Sequence, residues 1–285
     1  MILKTQIKNS LVSFDNLEHT HLSLQISLDG MGICIFDKDL IDVILLHYYE
    51  FETRAHNPKE LLDKVKGIFR KETLLSKNYE SISVTHRNNL SAIVPETLYD
   101  KTKHLDYLKY SVRVLENDPV TVDEITEMNS KNVFIPFENI NEFLVDTIGN
   151  FEYHHTSSVL VGTLLKKYRS STENHFFVNV NKTSLDIVFI KEGHLHLYNN
   201  FLYSTKEDFL YYILFAMEQL KLNPDSQPLV FIGDIDEDSD LYQLAYNYIR
   251  NISFLDVQNY SLSEEFYSMN PHIKKHQYFE LLNQH

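Results

Sequence analysis

Asp234-x-Asp236-x-Asp238-x-Asp240 places carboxylates at every second position, the spacing with which a calcium loop begins. The pattern then departs. The sixth position, where such a loop turns on glycine, is Ser239, and the closing glutamate position is Ala245. The run reads instead as an acidic turn ahead of a helix Leu241–Ile249, whose N-terminus favours negative charge. Fourteen histidines raise a metal question. His194-x-His196 would share one face of a strand, and His154-His155 and His19-x-His21 are further pairs. None has a Cys or Glu at a recognisable ligand spacing, and there is no HExxH, so scattered surface histidines are the preferred reading and no metal is assigned. Nucleophile signatures are absent: there is no Gly-x-Ser-x-Gly, and Cys34 falls inside an expected strand as an inert core thiol.

The elements that must position any site come from a repeat. LQISLDGMGICIF (Leu24–Phe36) falls on VNVNKTSLDIVFI (Val178–Ile190) without a gap. After one contraction, ELLDKVKGIF (Glu60–Phe69) falls on DFLYYILFAM (Asp208–Met217), and SISVTH (Ser81–His86) on LVFIGD (Leu229–Asp234). Fixed register over strands and a helix start is hard to produce by chance.

Each copy reads strand, turn, strand, turn, strand, helix, strand. In the first, Leu22–Ser27 is strand-like, Asp29-Gly30 is a hairpin turn, and Gly32–Phe36 and Leu40–Phe51 follow. Asn57, Pro58 and Glu60 then open a helix. In the second, Thr205 and Asp208 form a capping box for a helix ending near Leu222. That helix is apolar almost all round, which predicts that it is the most buried helix of its half. Leu229–Ile232 reads as a parallel strand covered on both faces. Between the copies, Ser91–Pro95, Ser111–Leu115, Val120–Ile125 and Lys131–Pro136 read as strands, Ile140–Ile148 and His155–Tyr168 as helices. Asn270–His285 reads as a last helix.

Composition bounds the function. The net charge of −14 argues against a basic nucleic-acid-binding surface, and Lys166, Lys167 and Arg169 read as a solvated helix end. No apolar run approaches the roughly 20 residues that span a bilayer, the start shows no secretory signal, and the lone cysteine allows no internal disulfide. A cytoplasmic protein without membrane insertion is expected. Eighteen Phe and 18 Tyr, with no Trp, must fill much of the core, and some Tyr are candidates for an interface. Only seven glycines are present, which bears on phosphate binding because loops that cradle phosphate use glycine.

A tandem βββαβ unit of this kind resembles the actin-like ATPase superfamily, in which both hairpins carry an Asp-x-Gly-(Thr/Ser)-x-(Thr/Ser) phosphate loop. NVNKTSLDI (Asn179–Ile187) fits the second loop, including Asp186-Ile187, and QISLDGMGI (Gln25–Ile33) fits the first. The chain also resembles a small uncharacterised family of bacterial actin-like-fold proteins, and in layout the actin-like scaffolds of type IV pilus and type II secretion machines. The resemblance implies an α/β, duplicated actin-like (ribonuclease H-like) fold, with two βββαβ-containing halves, 1–150 and 151–285, around a cleft.

The loops depart from that family at its chemistry. The family's magnesium-supporting acids are here Gln25 and Asn179, neutral amides. Its loop glycines are Ser27 and Asn181. Of its paired adenosine-motif glycines one remains, in Gly233-Asp234. Lys182 in the second turn reads as solvated, with anion contact as the alternative. No catalytic residue, cofactor or metal is assigned. The expectation is a degenerate, non-hydrolysing scaffold or protein-interaction protein, through a protein partner or self-association. The alternative is a nucleotide- or phospho-ligand-binding protein, using Gln25, Ser27, Asn179, Asn181, Lys182, Thr183, Gly233 and Asp234 in the cleft.

Overall fold

The computed structural model describes residues 1–8, 17–39, 42–109, 114, 118–256, 267–268 and 270–284. In chain order the strands are β1 (Ile2–Lys8), β2 (Thr20–Ser27), β3 (Gly30–Asp37), β4 (Asp42–Glu50), β5 (Ser81–Arg87), β6 (Ser91–Pro95), β7 (Thr121–Ile125), β8 (Ser130–Phe134), β9 (Glu152–His155), β10 (Asn174–Val180), β11 (Ser184–Lys191), β12 (His194–Leu202), β13 (Leu229–Gly233) and β14 (Ile252–Phe254). The helices are α1 (Pro58–Phe69), α2 (His104–Lys109), α3 (Glu138–Ile148), α4 (Thr156–Tyr168), α5 (Lys206–Gln219), α6 (Asp240–Tyr246) and α7 (Phe279–Leu282). The strand expected at Ser111–Leu115 lies outside the described residues, Val114 apart.

Two mixed sheets carry the fold. Their orders are β1-β4-β3-β2-β5-β9 and β12-β11-β10-β13-β14. With β1 set aside, the orders correspond strand for strand, hairpins antiparallel and the strands after the helices parallel. A small third sheet, β6-β8-β7, is inserted between β5 and α3. The parallel register differs by one residue between halves: Ser81 pairs with His21, but Leu229 pairs with Phe176 rather than His175. This sets Gly233 opposite Val180, where a Cβ on Gly233 would lie 2.2 Å from Val180 O.

Each sheet is covered on both faces. On the outer side, α1 and α3 close a core of Leu22, Leu24, Leu61, Val65 and Leu144, while α5 and α6 close one of Phe176, Val178, Phe209, Ile213 and Phe231. On the opposite faces the covers come from elsewhere. After β9, α4 leaves the first sheet and packs Leu160, Val161 and Leu164 on Phe177, Val188 and Ile232 of the second. The last described segment returns, and Ile273, Leu281 and Leu282 pack on Cys34, Phe36 and Leu46 of the first.

Two expectations change. Helix α5 is not the most buried of its half. Phe209 is fully buried, but Tyr211 and Phe215 are 60% and 40% exposed, stacked at 5.8 Å on the outer face. A single outer layer covers only one side of a helix, so the all-round apolar pattern marks an aromatic surface. Helix α4 is more buried than α5, and it contacts the second sheet, the inserted sheet and α7. Nor is Asn270–His285 one helix. Within its described part only Phe279–Leu282 is α-helical, entered through Tyr278 in the left-handed region (φ 56°).

Candidate functional site

The two loops that fit phosphate loops face each other where β2 and β10 end, but neither is free. In the first, the Ser27 hydroxyl accepts from Gly30 N (2.9 Å) and Asp29 N (3.2 Å), so it folds the turn on itself. In the second, Asn181 N donates to Ser184 O (2.9 Å), and Tyr203 Oη donates to Asn181 O (2.5 Å). The loops then clasp. Thr183 Oγ1 donates to Asp29 Oδ2 at 2.7 Å. Lys182 reaches into the first half, with Nζ 2.8 Å from Glu50 Oε1 and 3.2 Å from Phe51 O. Lys182 is therefore an ion-paired clasp residue, not the simply solvated lysine expected from its turn. Burial works against the Glu50 carboxylate, but Lys182 and Lys4 hold it below the usual range. Lys4 also meets Asp234 at 2.6 Å, and despite burial that carboxylate raises its pKa.

Behind the loops lies a buried polar chain. Gln25 and Asn179, where the superfamily places acids, both face one ion pair. Arg87 Nη2 lies 2.6 Å from Glu280 Oε1. With its amide oxygen turned toward Arg87, Gln25 accepts from Nη2 at 2.7 Å. Asn179 Nδ2 donates to Glu280 Oε1 at 2.6 Å and to Asp186 Oδ2 at 3.1 Å. Tyr198 Oη and Asn200 Nδ2 donate to Asp186 Oδ1 at 3.0 and 2.8 Å. Burial raises the Asp186 pKa, and the Arg87 charge offsets this only in part. Arg87 itself is raised: burial opposes its charge, but Glu280 and Asp186 more than compensate.

Gly233 and Asp234 close the floor. Gly233 adopts φ 89°, its N–H donates to His276 O (2.9 Å), and Asp234 N donates to Val180 O (2.8 Å). The cavity left between Gln25, Arg87, Lys182, Gly233 and Glu280 is about 50 Å³, room for a few waters.

A magnesium–nucleotide group, which the fold implies, does not fit these residues. Magnesium with phosphate needs anionic oxygen ligands and open backbone N–H groups. Here Gln25 turns its oxygen to a guanidinium, Asn179 spends its amide hydrogens on carboxylates, and Ser27 occupies the turn amides. The nearby acids are engaged as well, Asp29 with Thr183, Asp186 with three donors and Asp234 with Lys4.

All eight expected residues lie at this cleft or lean on it. Missed in sequence were Arg87, Glu280, Lys4 and Glu50. Arg87 directly follows the repeated strand SISVTH, and its place at the end of that strand is its local signal. Glu280 carries no local signal, because only the return of the chain brings it here. The other candidates do not gather. His194 and His196 are exposed, but His21 and His155, expected at the surface, are buried; no group of three metal-ligating side chains forms among the described residues, and Ser239 and Asp236 cap the start of α6 and its turn. Cys34 is buried, and burial pushes its thiol pKa up.

Comparisons with known proteins agree with this architecture. Residues 9–252 match the family described as "Protein of unknown function (DUF3822)". No curated protein matches the chain. A solved Bacteroides thetaiotaomicron VPI-5482 protein with an actin-like ATPase fold and unknown function superposes with TM-score 0.75 at 21% identity, over 86% of this chain and 93% of that one. A chain of the PilM–PilN type IV pilus biogenesis complex superposes with TM-score 0.61 at 9% identity, over 93% and 97%. At such identities the likeness shows the fold, and the family match covers most of the sequence. The chain belongs to the DUF3822 family and has the two-half actin-like ATPase fold.

Proposed function

We propose that this chain is a non-hydrolysing member of its superfamily, acting in the cytoplasm as a scaffold or protein-interaction protein, with halves divided near residue 150. The observation that carries the reading is the Arg87–Glu280 pair between Gln25 and Asn179. A guanidinium and a carboxylate fill the place where hydrolysis would need a metal-bound phosphate. Neither amide serves as a base near neutral pH. Two features support a protein partner. One similar structure is itself a complex, PilM–PilN. The surface also exposes Tyr211, Phe215, Tyr246 and Tyr248, a residue type favoured in interfaces. Among the described residues no helix is long and apolar enough to cross a membrane.

The second reading, a phospho-ligand protein, draws on the positive groups Lys4, Arg87 and Lys182 around the remaining cavity. Calorimetric titration with ATP, with and without magnesium, separates the two. The scaffold reading expects no magnesium-dependent heat and no phosphate release above background. Binding that needs magnesium and disappears in Lys182→Ala would replace it with the second.

A further inference from the structure

The short helix α7 sends successive side chains to different parts of the molecule. Phe279, 1% exposed, enters the second half's core beside Phe177, Val188 and Ile232. Glu280, 3% exposed, bonds Arg87 of the first half and Asn179 of the second. Leu281, fully buried, enters the first half beside Cys34 and Phe36. Its neighbours extend the grip. His276 accepts Gly233 N–H through its carbonyl, its Nε2 bonds Ile235 O at 2.7 Å, and its ring stacks on Phe254 at 4.3 Å. Tyr278 bonds Thr5, and Gln284 Nε2 donates to Thr85 Oγ1 at 2.8 Å.

The first half is shaped to receive this segment. A Cβ on Gly32 would come within 2.7 Å of Leu281 Cδ2, so the absent side chain at Gly32 is what lets Leu281 seat. Gly32 follows the first hairpin turn, where the fold otherwise approaches phosphate. Arg87 would be a buried charge without Glu280, and removing one member of such a pair is strongly unfavourable.

We propose that residues 276–284 form a latch, an occupant of the cleft supplied by the chain itself, which fastens the two halves and whose withdrawal opens them. This inference rests on the reading of a cleft closed without nucleotide. The latch is short, so its hold is concentrated in a few side chains, and it can leave while the outer cores under α1 and α5 stay packed. Withdrawal would bare Arg87, Asn179 and the apolar slot beside Gly32.

Amide hydrogen exchange on the full chain tests this. In Glu280→Gln, exchange in residues 276–284, 22–30 and 229–235 should rise by about tenfold or more, while residues 206–219 keep wild-type protection. A parallel rise everywhere, or none in the latch and cleft, overturns the proposal. If Glu280→Gln fails to fold, Gln284→Ala, which removes only the bonds to Thr85 and Ser83, should give the same local pattern more weakly; unchanged exchange there overturns it equally. Wild-type protein with ATP and magnesium in the same run tests the parent reading separately. Added protection in 25–30 and 179–184 would end nucleotide-free closure, whatever the variants do.

Discussion

Two helices cover the cleft-side faces of two sheets of matching order, and they hold in different ways. Helix α4 has 13 residues, is capped by the His155 side chain on Ser157 N, and buries six side chains. Its hold is spread over a continuous apolar face. Helix α7 has four residues and a left-handed entry at Tyr278, and it relies on Glu280 with one or two side chains on either side. Spread packing is lost only when much of the fold is lost. A concentrated ionic anchor can be released by a single competing event, because buried pairs depend on both members. On the proposed latch, the cover of the second sheet is the one that stays and the cover of the first sheet is the one that can be withdrawn.

The comparison predicts where mutations act. The largest effect belongs to the outer cores, which should answer as one unit. Phe209→Ala, a fully buried ring under α5, should cost about 3–5 kcal/mol in denaturant melts with coincident probes. A loss below about 1 kcal/mol would show that this face is not core.

Acid should act next, and on the first sheet. His86 lies in β5 and His155 ends β9, and burial is the main cause that holds their pKa down, to about 3 and about 4. In the unfolded chain they take a proton near pH 6.5. Between those values the unfolded state binds more protons, so stability is full above pH 6.5 and falls as pH falls. The loss should be on the order of 2 kcal/mol per histidine at pH 5. Asp186 in the second half has the opposite sense. Burial raises its pKa, so the fold keeps its proton to higher pH than the unfolded chain, and acid relieves it. Exchange measured down the pH scale should therefore show β5 and β9 opening before β10 and β11. The reverse order would break the contrast.

Gly32→Ala should cost about 1–2 kcal/mol by crowding Leu281, and Leu281→Val should recover part of it in a double-mutant cycle. Additive effects would mean that the two sites do not touch. The smallest change should be a gain. Gly162 lies inside α4, and a Cβ there meets Glu127 Oε2 at an acceptable 3.4 Å. Gly162→Ala should stabilise by about 0.5–1 kcal/mol, read from the melting midpoint.

Much of this fold was legible because the same local signals recur in two segments of the sequence. Hairpin turns, capping residues and strand patterns agree between Leu22–Ser83 and Phe176–Phe231, so two sheets of matching order follow from local signals. Helix α5 misled because periodicity reports how apolar a helix is, not how many layers cover it. The loop substitutions at Gln25, Ser27, Asn179 and Asn181 were visible as departures. What occupies the space between those loops was not. Glu280 sits more than a hundred residues from Asn179 and nearly two hundred from Arg87, and pairing at such separation is set by the path of the chain, which no motif records.

The central claim is that the chain closes its own cleft. An experimental structure of the wild-type protein grown with saturating ATP and magnesium tests it most directly. The account predicts the Glu280 carboxylate within hydrogen-bond distance of both Arg87 and Asn179, and no phosphate between residues 27–30 and 181–184. A nucleotide seated there, with Glu280 displaced from Arg87, would contradict it.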